Sequence, residues 1–344
     1  MKKILASVIS VILLLTASFS LVGCGEPPKG QVSIKYYADG GAIVSALLSG
    51  EETIGLVPEP AATNAVKKAS QQGKTLYTLD LQELYDDESK AYPQAVLMVK
   101  ESVLATYPEI AQNIADTLND NVSWVKENTA TAVEKITEKC EVTTLKAPAL
   151  SESAIDGCKI YYQSSTDAKQ SVKNYISDIR AIDATSAKAV EDGFFYDGTA
   201  DGTCAKSELS VYAPDGAPAL AIAKYINDGY DFGTGLTVNY NIIANAQVPA
   251  QLVVGAYRSG NADIIVLPVN AASKFYNSDD NAQDNYKLVS VITHGNFYIL
   301  STEEIAIADL KDSRIAVPQK NAVPDWTFRS VLSKHGLEGK NIEE

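Results

Sequence analysis

A strand, a polar turn and a helix follow one another within about twenty residues, and this unit recurs along the chain. In its clearest copy, residues 209–213 alternate apolar and polar side chains, and Pro214-Asp215-Gly216 then breaks the strand. Pro218 follows where a first helical turn would begin. Such a turn points unpaired backbone N–H groups beyond the carboxyl end of the strand, where open α/β sheets bind small ligands. A single unit can equally be an ordinary turn, so the repetition is what matters.

The repeated unit predicts an α/β protein. Near the N terminus, Val32–Tyr37 and Thr53–Val57 are strand-like, and each precedes a Gly- or Pro-containing turn and an apolar helix. Residues 109–125 and 167–180 carry apolar side chains at three- and four-residue steps, as amphipathic helices do. About 320 residues exceed one usual hydrophobic core, so two lobes are expected. Further strands are predicted at 92–99, 236–244, 262–267, 287–293, 297–301 and 314–317.

The first 23 residues have the composition of an export signal, with a basic start, an apolar run from Ile4 to Leu15 and small residues after it. The tetrapeptide Leu21-Val22-Gly23-Cys24 resembles a bacterial lipoprotein box, which implies cleavage before Cys24 and lipids on that residue. An uncleaved transmembrane anchor is the alternative, although the run is barely long enough. Both place the protein outside the cytoplasmic membrane; the first predicts a lipid anchor on the extracytoplasmic face, with residues 24–30 as a tether.

Charge and composition exclude several functions. The net charge is −14, and removal of residues 1–23, with Lys2 and Lys3, makes it −16. Such an acidic surface repels phosphate backbones, so no nucleic-acid partner is expected. With two histidines and no Cys-x-x-Cys spacing, neither a metal site, a cofactor nor a Cys-His nucleophile is expected. In an exported protein two of the remaining cysteines can pair; Cys140 and Cys158 are the closest in sequence, while Cys204 lies in a Gly/Thr-rich loop.

Several segments together resemble the solute-binding proteins of ABC importers, most closely the taurine, sulfonate, nitrate and thiamine-precursor group. Val211–Tyr225, the Gly255–Ile264 run and Arg314–Val317 are similar to the first half of that family, and Val32–Ala65 is similar to its second half. Residues 157–196 are similar to its carboxyl tail. The resemblance implies a two-lobed periplasmic-binding-protein type II fold, with three-layer αβα lobes joined by a hinge. It also implies a monomer that binds a small solute between its lobes and delivers it to a membrane permease.

The order of the halves is reversed relative to the family, which indicates a circular permutation. Residues 91–301 would form one lobe, and residues 31–90 with 302–344 the other. Residues 197–208 would link the old termini, and the hinge would lie near 90–98 and 297–303. Permutation is tolerated when the old termini are close and the new ones fall in surface loops. Two truncated tandem copies are the alternative, but the halves complement each other and do not repeat.

The turns at the strand ends nominate the residues that would contact the solute, although each alone can equally be a solvated or capping residue. They supply carboxylates and amides but no arginine, which favours an amino-bearing ring such as an aminopyrimidine, stacked on a Tyr or Trp326. A sulfonate or nitrate held by backbone N–H groups stays open. One lobe contributes Asp215, Gly216, Ala217, Asn245, Asn270, His294 and Asn296, and the other Asp39, Gly40, Glu59, Asn321 and Ala322.

Two other functions compete with solute binding. Pyrimidine-forming and menaquinone-pathway enzymes resemble the same fold, but they work in the cytoplasm, and no nucleophile, base and orienting group stand out here. We therefore expect a protein that is not an enzyme. A surface scaffold or sensory lipoprotein that kept the fold without a transported solute is the other alternative.

Overall fold

The computed structural model describes residues 29–86, 91–140, 143–147, 150–244, 247–276 and 286–342, which are mixed α/β. The strands are β1 (Gly30–Tyr37), β2 (Ile54–Pro58), β3 (Tyr77–Asp80), β4 (Ala95–Lys100), β5 (Ile160–Ser164), β6 (Glu208–Pro214), β7 (Thr237–Ile243), β8 (Ile264–Pro268), β9 (Tyr286–Thr293), β10 (Phe297–Ser301), β11 (Arg314–Pro318) and β12 (Leu337–Asn341). The helices are α1 (Gly40–Ser49), α2 (Ala61–Gln71), α3 (Leu81–Tyr85), α4 (Glu101–Thr106), α5 (Glu109–Glu127), α6 (Thr129–Lys139), α7 (Glu152–Gly157), α8 (Ser165–Ile182), α9 (Ala217–Ala221), α10 (Ala223–Asp228), α11 (Val269–Tyr276) and α12 (Val323–Lys334).

The strands form two six-stranded sheets, which confirms the predicted α/β class. The terminal sheet has the order β12-β1-β11-β2-β10-β3, and the central sheet has the order β5-β9-β4-β8-β6-β7. In the terminal sheet β1 runs parallel to β11, with Ser33 opposite Arg314 and Tyr37 opposite Pro318. Strands from both ends of the described chain therefore lie side by side in one sheet. The chain changes sheet before Phe297, whereas the sequence placed the lobe boundary after Ser301.

Both faces of the central sheet are covered, which explains its nearly continuous apolar strands. Along β8, Ile265 and Leu267 pack into a core that also contains Ile34 and Ile315 of the terminal sheet. Ile264, on the opposite face, packs into a second core beneath α5 and α6. Alternate residues of a strand point to opposite faces, so one short apolar run serves both cores. The first core extends across both sheets and holds them together.

Helices α8 and α12 make a further contact between the two halves of the structure. The Tyr175 hydroxyl of α8 is 2.8 Å from the Thr327 hydroxyl of α12. Asp178 of α8 accepts from the Tyr85 hydroxyl at 2.7 Å and pairs with Lys334 of α12 at 2.9 Å. The pairing of these groups aligns α12, which packs on the terminal sheet, against α8 of the central sheet.

The ends of strands from the two sheets come together where the chain crosses between them. β9 ends at Thr293 and β10 begins at Phe297, so residues 294–296 make one crossing. In the central sheet Ala95 lies opposite both Thr293 and Pro268, which puts the start of β4 beside the ends of β8 and β9. In the terminal sheet Phe297 lies opposite Pro58, the last residue of β2. These two rows of strand ends are called here the facing edges. They comprise Ala95, Pro268 and Thr293 in the central sheet and Pro58 and Phe297 in the terminal sheet. They are adjacent because only residues 294–296 join them at this crossing.

Several elements differ locally from the sequence predictions. The helix after β6 is interrupted at Ile222 between α9 and α10, and the helix expected at 249–259 is a π-helix, Val248–Arg258. Strands β5 and β12 were not predicted. Leu337–Asn341 contains no β-branched or aromatic residue, and in Ile160–Ser164 only the first three residues are of these types.

The disulfide that Cys140 and Cys158 could form is not present, and the structure holds both residues as thiols. Each is buried in the second core, at the end of α6 and α7 respectively. Burial raises the pKa of the Cys158 thiol, which keeps it protonated and unreactive.

Cys24 and the rest of residues 1–28 lie outside the described part of the chain. Within the described part, the longest helices contain too many polar residues for any of them to cross a bilayer. The same residues contain no group of three His, Cys, Asp or Glu side chains arranged to hold a metal ion.

Candidate functional site

The nominated residues lie at strand ends in both sheets. Asn270 follows β8, and His294 and Asn296 follow β9, at the edge of the central sheet. Glu59 follows β2 at the edge of the terminal sheet. Asn245 lies outside the described residues. Whether any of them contacts a ligand stays a prediction. The remaining nominated residues follow β6 (Asp215, Gly216, Ala217), β1 (Asp39, Gly40) and β11 (Asn321, Ala322).

Glu59 and Asn296 are joined directly at the crossing. The Glu59 backbone N–H donates to the Asn296 carbonyl at 2.8 Å, and Asn296 Nδ2 donates to the Glu59 carbonyl at 3.2 Å. The Glu59 carboxylate accepts from the backbone N–H of Thr63 at 3.1 Å and from its hydroxyl at 2.6 Å. The side chain thus caps the first turn of α2. Burial raises the pKa of the Glu59 carboxyl, and the bonds from Thr63 oppose that rise.

Glu59 also contacts the central half of the structure. A Cβ atom added at Gly157, the last residue of α7, would lie 2.8 Å from Glu59 Cγ and 2.9 Å from its Oε1. The hydroxyl of Tyr298 donates to the Gly157 carbonyl at 3.3 Å. The absence of a side chain at Gly157 therefore allows α7 to pack directly on Glu59. This contact places a buried carboxylate between the two sheets.

His294 is a buried, neutral imidazole. Its ring stacks on Tyr161 with centroids 3.6 Å apart and planes 5° from parallel, and only 2% of the residue is exposed. Burial lowers the pKa of His294 to about 3. Its Nε2 lies 3.1 Å from Oε1 of Gln163, and the Lys159 backbone opposes the lowering of the pKa. Nδ1 is buried and has no hydrogen-bond partner among the described residues.

Asp215 holds a loop in place. Its carboxylate accepts from the Thr143 hydroxyl at 2.7 Å, the Thr144 backbone N–H at 2.6 Å and the Thr144 hydroxyl at 2.7 Å. The residue is 3% exposed. Three donors from a distant part of the chain already occupy both carboxylate oxygens, which explains how a charged group is accommodated there. The structure gives Asp215 a supporting role behind the facing edges.

We expect Asp215→Ala to lower the free energy of unfolding by about 2 kcal/mol, because it leaves buried donors of Thr143 and Thr144 without an acceptor. Asp39→Ala is the matched control. Asp39 is exposed and caps α1 by accepting from the Ala42 N–H at 2.9 Å, so its loss should cost about 1 kcal/mol. Urea denaturation of both variants measures the difference. Equal losses would contradict the supporting role.

A second group of polar side chains surrounds the start of α11. Asn270 Nδ2 donates to the Ser186 carbonyl at 3.2 Å, while Asn270 Oδ1 and the Ser186 hydroxyl are buried and find no partner in the described chain. One turn along α11, the ammonium of Lys274 lies 5.5 Å from the ring of Trp326, which belongs to α12. Trp326 is 7% exposed and packs at this contact, and the stacking of a solute on a Tyr or on Trp326 stays a prediction.

Several residues of this region could not be identified from sequence. Gln94 precedes β4, and its backbone bonds to Thr293 at 2.9 Å and to Val269 at 3.0 Å place it between the ends of β9 and β8. Tyr161 and Gln163 lie on β5, a strand that was not predicted. Ser186 lies in an irregular segment after α8. No spacing or motif marks any of these residues, because strand pairing alone brings them to the edge.

A surface pocket of about 530 Å³ lies elsewhere, at the amino end of β7. The facing edge of the central sheet lies at the opposite end of that strand, since β7 is parallel to β6 and β8. Asp231 of this pocket accepts from the backbone of Gly233 and Gly235, and Asp228 pairs with Lys224. These bonds are those of an ordinary turn, so the facing edges are the better candidate. The pocket is lined by residues 228–231 and 235–238.

Comparison with known proteins finds distant structural likeness. No family model and no curated protein match the chain. NikA of Brucella suis, solved in complex with Fe(III)-EDTA, is 11% identical over 78% of this chain and 56% of NikA, with a TM-score of 0.28. The oligopeptide-binding protein AppA of Bacillus subtilis, solved with a nonapeptide, is 11% identical over 77% of this chain and 54% of AppA, with a TM-score of 0.32.

A third similar structure is CtaP of Listeria monocytogenes, an ABC transporter substrate-binding protein. It is 12% identical over 76% of this chain and 53% of CtaP, with a TM-score of 0.31. The chain spans about half the length of these solved proteins. All three likenesses are to proteins that bind a ligand. The narrower resemblance to the taurine, sulfonate, nitrate and thiamine-precursor group stays a prediction.

Proposed function

We propose that the protein is the extracytoplasmic solute-binding component of an ABC importer, and that it binds a small organic solute between the facing edges. The observation that supports this most directly is a set of buried polar atoms there that have no hydrogen-bond partner in the described part of the chain, in Gln94, Asn270, His294 and Asn296. Buried polar groups are nearly always hydrogen-bonded in folded proteins. A cluster of unpaired ones at adjoining strand ends suits a ligand site of α/β sheets.

The two crossings between the sheets support a hinge. Residues 294–296 form one crossing, and the other runs from α3 to the start of β4. In this proposal, a few residues at these strand ends change their backbone angles, and the facing edges part and close around the solute. An empty and a loaded protein would then present different surfaces to a permease in the cytoplasmic membrane.

The lipid anchor and the circular permutation are part of the same proposal. Lipidation of Cys24, with residues 24–30 as a tether, would keep the protein at the extracytoplasmic face of the membrane. The parallel pairing of β1 with β11 supports the permutation, because it makes the two chain ends neighbours in one sheet. Replacing Cys24 by Ala should move the protein from the membrane fraction to the soluble fraction. An unchanged distribution between the fractions would contradict the anchor.

The solute would be an amino-bearing ring such as an aminopyrimidine, or an anion such as a sulfonate or nitrate. A sensory or scaffold lipoprotein without a transported solute, and an enzyme on the same fold, are the alternatives. The Thr63 hydroxyl and the Cys158 thiol adjoin the Glu59 carboxylate, but burial raises the pKa of that thiol, so no reactive thiolate there favours the enzyme.

Native mass spectrometry of the protein after incubation with cell extract tests the proposal. We expect a retained small molecule, and a higher melting temperature in its presence. Glu59→Ala should reduce that rise because Glu59 lies at the facing edges, whereas the same substitution at exposed Glu304 should not. No retained molecule, together with no melting shift across pyrimidine, sulfonate and nitrate compounds, would contradict solute binding.

A further inference from the structure

Three of the unpaired polar atoms at the facing edges share one chemical property. Gln94 Oε1, Asn270 Oδ1 and Asn296 Oδ1 are amide oxygens, which only accept hydrogen bonds. The Tyr92 hydroxyl beside Gly295 is also buried without a partner among the described residues, and it can donate or accept.

The orientation of the amides follows from their other bonds. The Nδ2 groups of Asn270 and Asn296 each donate to a backbone carbonyl, of Ser186 and Glu59 respectively, which leaves each oxygen unpaired. Asn270, His294 and Asn296 are 9%, 2% and 5% exposed, so water has little access to them. The Ser186 hydroxyl, also unpaired and buried, can donate or accept.

The helix starts at the edge of the terminal sheet add a second, independent observation. A helix N-terminus attracts anions, but here each already has a carboxylate of the protein itself. Asp39 accepts from Ala42 at the start of α1, and Glu59 from Thr63 at the start of α2. At the start of α12, Asp325 accepts from the N–H of Asn321, which precedes the helix, and pairs with Arg329 at 2.7 Å. An oxyanion would be repelled by the carboxylates that already accept from the first turns of α1 and α2.

Two of the cations near the facing edges have partners, while exposed Lys320, which follows β11, lies 5.8 Å from the centre of the Tyr36 ring. Lys159 lies 4.0 Å from the Asp80 carboxylate at the end of β3. The Lys274 ammonium lies 5.5 Å from the centre of the Trp326 ring. Burial lowers the pKa of Lys274, and the nearby Asp183 carboxylate opposes that change. Neither ammonium is left to balance an anionic guest.

We infer, on the basis of the proposed solute-binding function, that the solute is a donor of hydrogen bonds: a small molecule bearing N–H groups, such as an amine or an amino-substituted ring. Its N–H groups would pair with the unpaired amide oxygens of Gln94, Asn270 and Asn296 when the facing edges close. An oxyanion such as a sulfonate or nitrate offers only acceptors, so it would leave these amide oxygens unpaired.

Isothermal titration of the protein with four probes tests this inference. The probes are 4-aminopyrimidine, 4-(dimethylamino)pyrimidine, methanesulfonate and nitrate. The first two share a ring and differ in their N–H groups, so their comparison isolates hydrogen-bond donation. We expect 4-aminopyrimidine to bind at least tenfold more tightly than the other three. Asn270→Ala and Asn296→Ala should each weaken it about tenfold, since each removes one acceptor.

Asn241→Ala is the matched control, because Asn241 lies on β7 and its Nδ2 also donates to a carbonyl, that of Val211. It should leave the affinity unchanged. Equal affinities for the two pyrimidines, or tighter binding of methanesulfonate or nitrate, would overturn the inference while leaving solute binding intact. If no probe binds, the molecule retained from cell extract decides: one without N–H groups overturns the inference and one with them supports it. Finding no retained molecule either would contradict the proposed function as a whole.

Discussion

Replacing Gly295 by alanine is expected to lower the free energy of unfolding by about 4 kcal/mol. Gly295 lies in the crossing between the sheets with a φ of +68°, in the left-handed region that costs other residues about 1–2 kcal/mol. A Cβ atom there would lie 2.6 Å from Cζ of Tyr92 and 2.9 Å from Cγ of Gln82. Tyr92 is buried and stacks on Tyr175 at 5.5 Å, so its ring has little room to move. Overpacking of this kind costs about 1–3 kcal/mol.

Gly336→Ala separates the two contributions. Gly336 has nearly the same φ, +71°, but no described atom lies within 4 Å of the position of its added Cβ. It should cost only the backbone term, about 1 kcal/mol. Denaturant unfolding of both variants measures the difference. Equal decreases in the free energy of unfolding would show that Gly295 is not closely packed against Tyr92 and Gln82, and that the crossing has room for a side chain.

Acidification from pH 7 to pH 4 is expected to remove about 3 kcal/mol of stability through His294 alone. Burial lowers its pKa to about 3 in the folded protein, against about 6.5 in an unfolded chain. The unfolded state therefore binds the proton first. The contribution is fully present above about pH 6.5, and it is lost by about 1.4 kcal/mol per pH unit as the pH falls towards the folded value.

His294→Phe keeps an aromatic ring against Tyr161 and does not titrate. Carboxylates also protonate in this range, so the informative quantity is the difference between the two proteins. The stability of the wild type relative to the variant should fall by about 3 kcal/mol between pH 7 and pH 4. Parallel pH profiles would show that His294 is solvated and protonates freely.

The secondary structure near the facing edges could be read from sequence to a large extent. β8 was predicted because an apolar run covered on both faces has a recognisable composition, and α1 because Asp39 is followed by a run of small and apolar residues. These are local properties, and they depend on neighbours a few residues away. The same reasoning correctly placed Asn270, His294 and Glu59 at strand ends.

The partners of those residues were decided by the tertiary structure. Asn296 bonds to Glu59 across 237 positions of sequence, and Asp215 bonds to Thr143 across 72. Such pairs depend on strand order and register, which bring together residues that no local pattern relates. Hydrophobic periodicity therefore determined which segments become strands and helices in this chain. Only the packing of the two sheets determined which polar groups are satisfied internally and which acceptors are left for a ligand, because a hydrogen bond requires its partner within about 3 Å.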